Sequence, residues 1–170
     1  PIDYIAGTSI GAIVGGLYAI GYDAATLDSL YRNQDWMFLI KDQVKRESEA
    51  FLSKEEKEKY LLHIPLSKEK KVAFTSGGYV AGQNILNLFS KLTVGYHSVD
   101  HFSDLPIPFR CVAVDIVEGK EVVLDSGSLP LAMRASMSIP GVFSPVEWNG
   151  MLLVDGGALN NLPVDVVKEM

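Results

Sequence analysis

A serine set between glycines, Gly7-Thr8-Ser9-Ile10-Gly11, is the first place in the chain where covalent chemistry is expected. A short, partly β-branched apolar run, Ile2 to Ala6, precedes it, and small helix-compatible residues follow at once. Ser9 therefore falls on a sharp strand-to-helix turn that exposes its hydroxyl. Gly7 and Gly11 are expected because a side chain at either position would block so tight a turn. The free N–H groups and positive dipole end of the helix can stabilise an oxyanion beside Ser9, with the Ile10 N–H as the leading donor. A glycine-rich turn in which Ser9 merely caps the helix uses the same residues and stays open. Phosphate binding does not fit. No lysine closes the loop as a Walker-type site requires, and Gly7 and Gly11 are wrongly spaced for a dinucleotide fingerprint.

A serine nucleophile needs a base. The three histidines are His63, His97 and His101. His63 sits in an expected hairpin strand, and the other two lie in a polar loop. None follows the strongest acid candidate, as the Ser–acid–His order of α/β-hydrolases would require. Asp155 is the better partner. The apolar strand Met151-Leu152-Leu153-Val154 ends in Asp155-Gly156-Gly157, an acid followed by glycines that let another backbone come close. An aspartate that only caps a turn is the alternative. No metal ligands are expected and no cofactor.

Several elements must position these groups. Ser9 to Ile20 reads as a helix with Gly21 just past its end, and Asp23 as the N-cap of a second helix, Ala24 to Arg32. Trp36 to Ile40 is a compact apolar patch, followed by the charged stretch Lys41 to Lys59. Tyr60–Pro65 and Lys71–Ser76 flank the polar turn Ser67-Lys68-Glu69-Lys70, as in a hairpin. Gln83 to Leu92 reads as an amphipathic helix with Ile85, Leu86, Leu88 and Phe89 inward. Strands are expected at Arg110–Val117 and Glu121–Asp125, and a short helix over Leu129–Met137, stopped before Pro140. Asn149-Gly150 marks a tight hairpin between Val146–Trp148 and Met151–Val154. A last helix opens at Pro163. Strands alternating with helices predict an α/β architecture.

Composition narrows the function further. The net charge of −6 argues against a nucleic-acid-binding surface. Residues 41–71 are nearly balanced in charge, so the negative excess lies elsewhere, chiefly after Phe102. A single cysteine, Cys111, excludes an internal disulfide and reads as a buried core thiol. The longest apolar stretch, Ile10 to Ile20, is about half the ~20 residues a membrane span needs. No signal-peptide pattern opens the chain. Both ends read as cuts, one running straight into a strand and the other stopping inside a helix pattern. An excerpt of a longer protein is therefore expected.

Taken together, the serine elbow, the Asp-Gly-Gly strand end, Arg134-Ala135-Ser136-Met137-Ser138-Ile139-Pro140-Gly141-Val142-Phe143 and the tail Asp155 to Pro163 resemble the patatin family of lipid acyl hydrolases. The resemblance covers nearly the whole chain and is least clear in residues 36–80. It implies a three-layer α/β/α fold with a mainly parallel central sheet. It also implies a serine–aspartate dyad, Ser9 as nucleophile and Asp155 as base, acting on carboxylic esters of phospholipids or related acyl lipids. Residues 36–95 would be the variable part over the site, with Trp36, Met37, Phe38, Leu39 and the Gln83 helix lining an acyl-chain entrance; plain core and solvated surface remain the alternative. The family's glycine-rich oxyanion loop lies upstream of the elbow and has no counterpart in residues 1–170. Little or no esterase activity is expected from these residues alone, and a sheet edge left open there could pair two copies into a homodimer. Contact with a membrane surface is a further expectation, with a bacterial cytoplasmic or envelope location both open. An acyltransferase, a thioesterase or a non-catalytic interaction module of the same fold are the rival readings.

Overall fold

The computed structural model describes residues 1–43 and 80–170, and the expected hairpin at 60–76, with His63, lies outside them. The chain opens with strand β1 (Ile5–Thr8) and helix α1 (Ile10–Ala19), followed by α2 (Ala24–Asn33) and α3 (Trp36–Ile40). After the undescribed segment come α4 (Gln83–Leu92), β2 (Phe109–Asp115), β3 (Lys120–Leu124) and α5 (Leu129–Ser136). The hairpin β4 (Val146–Trp148) and β5 (Met151–Asp155) leads into a 3-10 turn, Gly156–Ala158, and then α6 (Val164–Lys168). None of the described helices is long and apolar enough to cross a membrane.

Local chemistry accounts for most of these boundaries. Asp23 caps α2 by accepting the Thr26 N–H at 2.7 Å, and Asp35 caps α3 through the Phe38 N–H at 3.0 Å. Gly21, at φ 105°, ends the α1 segment in a conformation that costs glycine little. Asn149 and Gly150 both take positive φ, 49° and 83°, as the expected two-residue hairpin turn requires. The first strand starts three residues later than expected, because Ile5 is the residue whose N–H reaches Pro108 and opens the pairing with β2. Ile2 and Tyr4 stay exposed. Gly7 is consequently inside the strand, and the turn falls on Ser9 itself.

The α/β class is present, and its sheet is mixed. Among the described strand pairs β1–β2 alone is parallel, beside an isolated parallel bridge from Val80 to Phe143; β2–β3, β2–β5 and β4–β5 are antiparallel. The mainly parallel sheet is thus corrected for the described residues, because two of the three antiparallel pairs are short hairpins that no helix interrupts. Strand β2 is the hub. It pairs with β3 from Cys111 to Asp115, with β1 from Phe109 to Val112, and with β5 from Ala113 to Asp115. Since β3 overlaps both of the others along β2, β1 and β5 must share the opposite side of it. They meet there end to end, Thr8 beside Val112 and Asp155 beside Ala113. The outer edge of β1 has no strand partner among the described residues.

Helices cover both faces. Phe109, Cys111 and Ala113 point into the core with Leu17, Ile85, Phe89, Ala132 and Met133 of α1, α4 and α5. Burial pushes the Cys111 thiol pKa up, as suits a core residue. The small residues of α1 let it lie close. A side chain at Gly15 would meet Ile5, and one at Gly16 would meet Met133 and Phe109. On the other face the Thr8 hydroxyl donates to the Asn160 carbonyl at 2.8 Å, holding the segment that leads to α6, whose Val166 is buried.

The two glycines of the elbow differ in a way their symmetry in sequence conceals. A Cβ on Gly7 would lie 2.3 Å from the Gly11 carbonyl oxygen and 2.7 Å from the Ala12 nitrogen, since the helix turns back directly over the strand. A Cβ on Gly11 would meet nothing within 4 Å. The expectation that both glycines are sterically required is therefore corrected for Gly11, which faces open space. Gly7→Ala should lower unfolding free energy by about 1–3 kcal/mol or more, as overpacking against backbone does. Gly11→Ala should be neutral or stabilising by up to about 1 kcal/mol. Thermal and urea unfolding of the two variants side by side checks the contrast.

Candidate active site

Ser9 sits where β1 gives way to α1, with φ 57° and ψ −121°. A non-glycine residue in that region is strained by about 1–3 kcal/mol and persists only where its surroundings fix it. Three backbone-linked contacts do so. Its carbonyl accepts from Ala12 and Ile13 in the first turn of α1, at 3.0 and 3.3 Å. Its own N–H donates to the Ser136 hydroxyl at 2.9 Å. The backbone turn throws the side chain outward, and Ser9 is half-buried at the end of the strand.

The Ser9 hydroxyl donates to Asp155 Oδ2 at 2.6 Å, across 146 positions of sequence. The other carboxylate oxygen, Oδ1, accepts the Gly157 N–H at 2.7 Å, so both oxygens are held. The Asp155 N–H donates to the Ser138 carbonyl at 3.0 Å. Asp155 is only 9% exposed, so its carboxylate is largely withdrawn from water while Ser9 faces it half-buried. Gly156 admits another backbone as expected, whereas Gly157 makes room for side-chain oxygens of Asp155 and Asn161. A Cβ on Gly156 would sit 2.3 Å from the Val112 oxygen, and one on Gly157 would sit 2.9 Å from Asp155 Oδ1.

An open pocket of about 380 Å³ lies over the elbow, lined by Gly7, Ser9, Ile10, Gly11, Leu162 and Pro163 among others. The N–H groups of Ile10 and Gly11 belong to the first turn of α1 and have no protein acceptor among the described residues. Such orphan donors at a helix N-terminus suit a developing negative charge. The two described histidines lie elsewhere. His97 is exposed, with Nε2 3.0 Å from the Ser90 carbonyl, and His101 is exposed in a bridge to Ser126. Among the described residues no group of three or more His, Cys, Asp or Glu could hold a metal ion. The α3 helix, Trp36–Ile40, buries none of its residues.

Sequence reasoning did not find the residues behind the pair. Ser136 and Ser138, both fully buried, tie the end of α5 to the elbow and to Asp155 respectively. Arg134, only 2% exposed, donates to the Ser138 hydroxyl at 2.5 Å and to the Ala81 carbonyl at 2.9 Å, and lies 4.5 Å from the Phe143 ring centre. Desolvation lowers its pKa to about 10, against the opposing pull of Asp42, and at neutral pH it stays charged. The available signal was polar residues at alternate positions, Arg134, Ser136 and Ser138, within an apolar run of Ala132, Met133, Ala135 and Met137.

Residues 1–168 match the family described as patatin-like phospholipase. An NTE family protein of Mycobacterium tuberculosis, itself named as uncharacterised, is 33% identical over 166 residues, 98% of this chain and 23% of that protein. The lysophospholipase NTE1 of Meyerozyma guilliermondii is 30% identical and that of Candida albicans 28% identical, each over 99% of this chain and 10% of the relative. The chain thus spans a quarter or less of the length of these three relatives.

The strain at Ser9 is separable from its chemistry. Glycine adopts positive φ without steric cost, whereas alanine keeps the Cβ and the strain. Ser9→Gly should therefore be more stable than Ser9→Ala by about 1 kcal/mol, both lacking the hydroxyl. Chemical denaturation of the two variants measures the difference, and equal midpoints would place the strain elsewhere.

Proposed function

The chain belongs to the patatin-like phospholipase family, and on that premise we propose that Ser9 and Asp155 hydrolyse a carboxylic ester of a phospholipid or lysophospholipid. One observation carries the reading, the 2.6 Å hydrogen bond from the Ser9 hydroxyl to Asp155 Oδ2 at a strained strand–helix turn. The lysophospholipase names of the two yeast relatives support a lipid ester as substrate.

Ser9 Oγ attacks the ester carbonyl carbon while its proton passes to Asp155 Oδ2. The carbonyl electrons move onto oxygen, and the orphan N–H groups of Ile10 and Gly11 stabilise that charge. Collapse breaks the bond to the alcohol, which leaves with the proton from Asp155. Water then attacks the acyl-serine, Asp155 takes its proton and returns it to Ser9 Oγ, and the fatty acid departs. No histidine takes part. The Gly157 N–H holds the carboxylate in one rotamer throughout, so that the same oxygen serves both halves of the reaction.

The test uses the full-length protein. A fluorophosphonate probe should label the peptide containing Ser9, and Ser9→Ala should abolish both labelling and hydrolysis. Asp155→Asn should lower turnover by at least about a hundredfold, the low end of general-base effects. Replacing His63, His97 and His101 together should leave most of the activity. A folded but inactive triple histidine variant would sink the dyad. Analysis of products from a lysophospholipid, in the presence and absence of an acceptor alcohol, distinguishes hydrolysis from acyl transfer.

A further inference from the structure

The nucleophile's amide is occupied, and its occupant is a buried hydroxyl that nothing in the reaction above uses. Ser136, the last residue of α5, is 0% exposed. Its Oγ accepts the Ser9 N–H at 2.9 Å and donates to the Val112 carbonyl at 2.7 Å. Val112 is the β2 residue opposite Thr8, the last of β1, and its neighbour Ala113 faces Asp155, the last of β5. One hydroxyl therefore ties the elbow to the point on β2 where the strands carrying the serine and the aspartate meet.

We propose that Ser136 is a positioning residue for the nucleophile. The inference rests on the reading of Ser9 as the attacking group. The physical reason lies in the backbone. The Ser9 N–H belongs to the peptide plane joining Thr8 to Ser9, and rotating that plane changes φ of Ser9. A residue at φ 57° gains energy by relaxing toward the negative-φ basins. Any such rotation swings Cβ and Oγ away from Asp155. The hydrogen bond to Ser136 fixes the plane, and the second bond to Val112 fixes Ser136 to the strand that also sets the position of Asp155. Displacements of about 1 Å at reacting atoms can cost about a hundredfold in rate. The same bond withholds the Ser9 N–H from any oxyanion, which leaves that task, among the described residues, to the N–H groups of Ile10 and Gly11.

Ser136→Ala removes the hydroxyl and leaves the Ser9 N–H and Val112 carbonyl without this partner. In the full-length protein it should lower the rate constant for fluorophosphonate labelling of Ser9, and kcat, by ten- to a hundredfold. The KM for a short-chain nitrophenyl ester should change less than about twofold. Rates are counted per active site, by titration of the labelled fraction, so that mere loss of folded protein does not register. Ser136→Thr, which keeps the hydroxyl, should restore the rate to within a few-fold. Ser136→Cys, close in volume with a much weaker hydrogen-bonding group, should behave like alanine, and it serves where Ser136→Ala fails to fold. A folded Ser136→Ala or Ser136→Cys protein labelled at the wild-type rate would overturn the inference. So would a threonine variant as slow as the alanine variant at equal stability. If the probe never reacts at Ser9 in the wild-type protein, the assignment of the nucleophile itself has failed, which is a separate result.

Discussion

The site depends on one edge of one strand. Strand β2 takes β1 along its first half and β5 along its second, on the same side, one parallel and one antiparallel. Two strands that approach head to head along a common partner must stop where they meet, and their next residues must leave the sheet there. Thr8 and Asp155 are the stopping points. Backbone hydrogen bonding thus sets the separation of the serine and the aspartate to the repeat of a sheet, before any side chain contributes. A shift of β5 by one residue along β2 would turn Asp155 to the other face and abolish the pair.

Departure from the sheet at that junction demands residues without side chains on the crowded side. Gly7 lies beneath the returning helix and Gly156 against the Val112 carbonyl, each with no room for a Cβ. These local demands were readable in the sequence because a strand followed by Gly-x-Ser-x-Gly, and a strand ending in Asp-Gly-Gly, each announces its own turn. The Asn149-Gly150 hairpin and the Asp23 cap were legible for the same reason, since cause and consequence lie within a few residues. Gly11 shows the limit of such reading. It completes the motif, yet its Cβ position is open, and only the direction in which the helix leaves the strand decides that.

What could not be read was long-range. The antiparallel entry of β5 beside β2 depends on α5 and the β4–β5 hairpin bringing the chain back, and periodicity carries no information on that direction. The side-chain cap of α4 is another case. Asp42 accepts the N–H groups of Gln83 and Asn84, at 2.9 and 2.7 Å, from 41 and 42 positions away, while Gly82 at φ 72° supplies the turn. The resemblance to the patatin family singled out the two turns that lie side by side in the fold, at Ser9 and Asp155, but it held no account of why Arg134, Ser136 and Ser138 are polar.

Those three residues complete the physical argument. A buried arginine is costly unless its donors are satisfied, and Arg134 spends Nη1 on the Ser138 hydroxyl and Nη2 on the Ala81 and Ser144 carbonyls, with its face on Phe143, while its buried Nε has no acceptor among the described residues. Its position also dictates Gly82, where a Cβ would fall 2.3 Å from Nε. The Arg134 side chain thereby binds the start of α4 to the end of α5, and the segment after α5 reaches Asp155 through the Ser138 carbonyl. The tail of α5 is thus held rigidly on one side by a charged group and offers hydrogen bonds to both halves of the serine–aspartate pair on the other. Polar groups placed in a core for stability alone would be replaceable by apolar residues of similar volume at little cost. Here each one fixes the direction of a backbone that the sheet has already brought close, which is how a fold made of weak contacts holds a strained serine in one orientation.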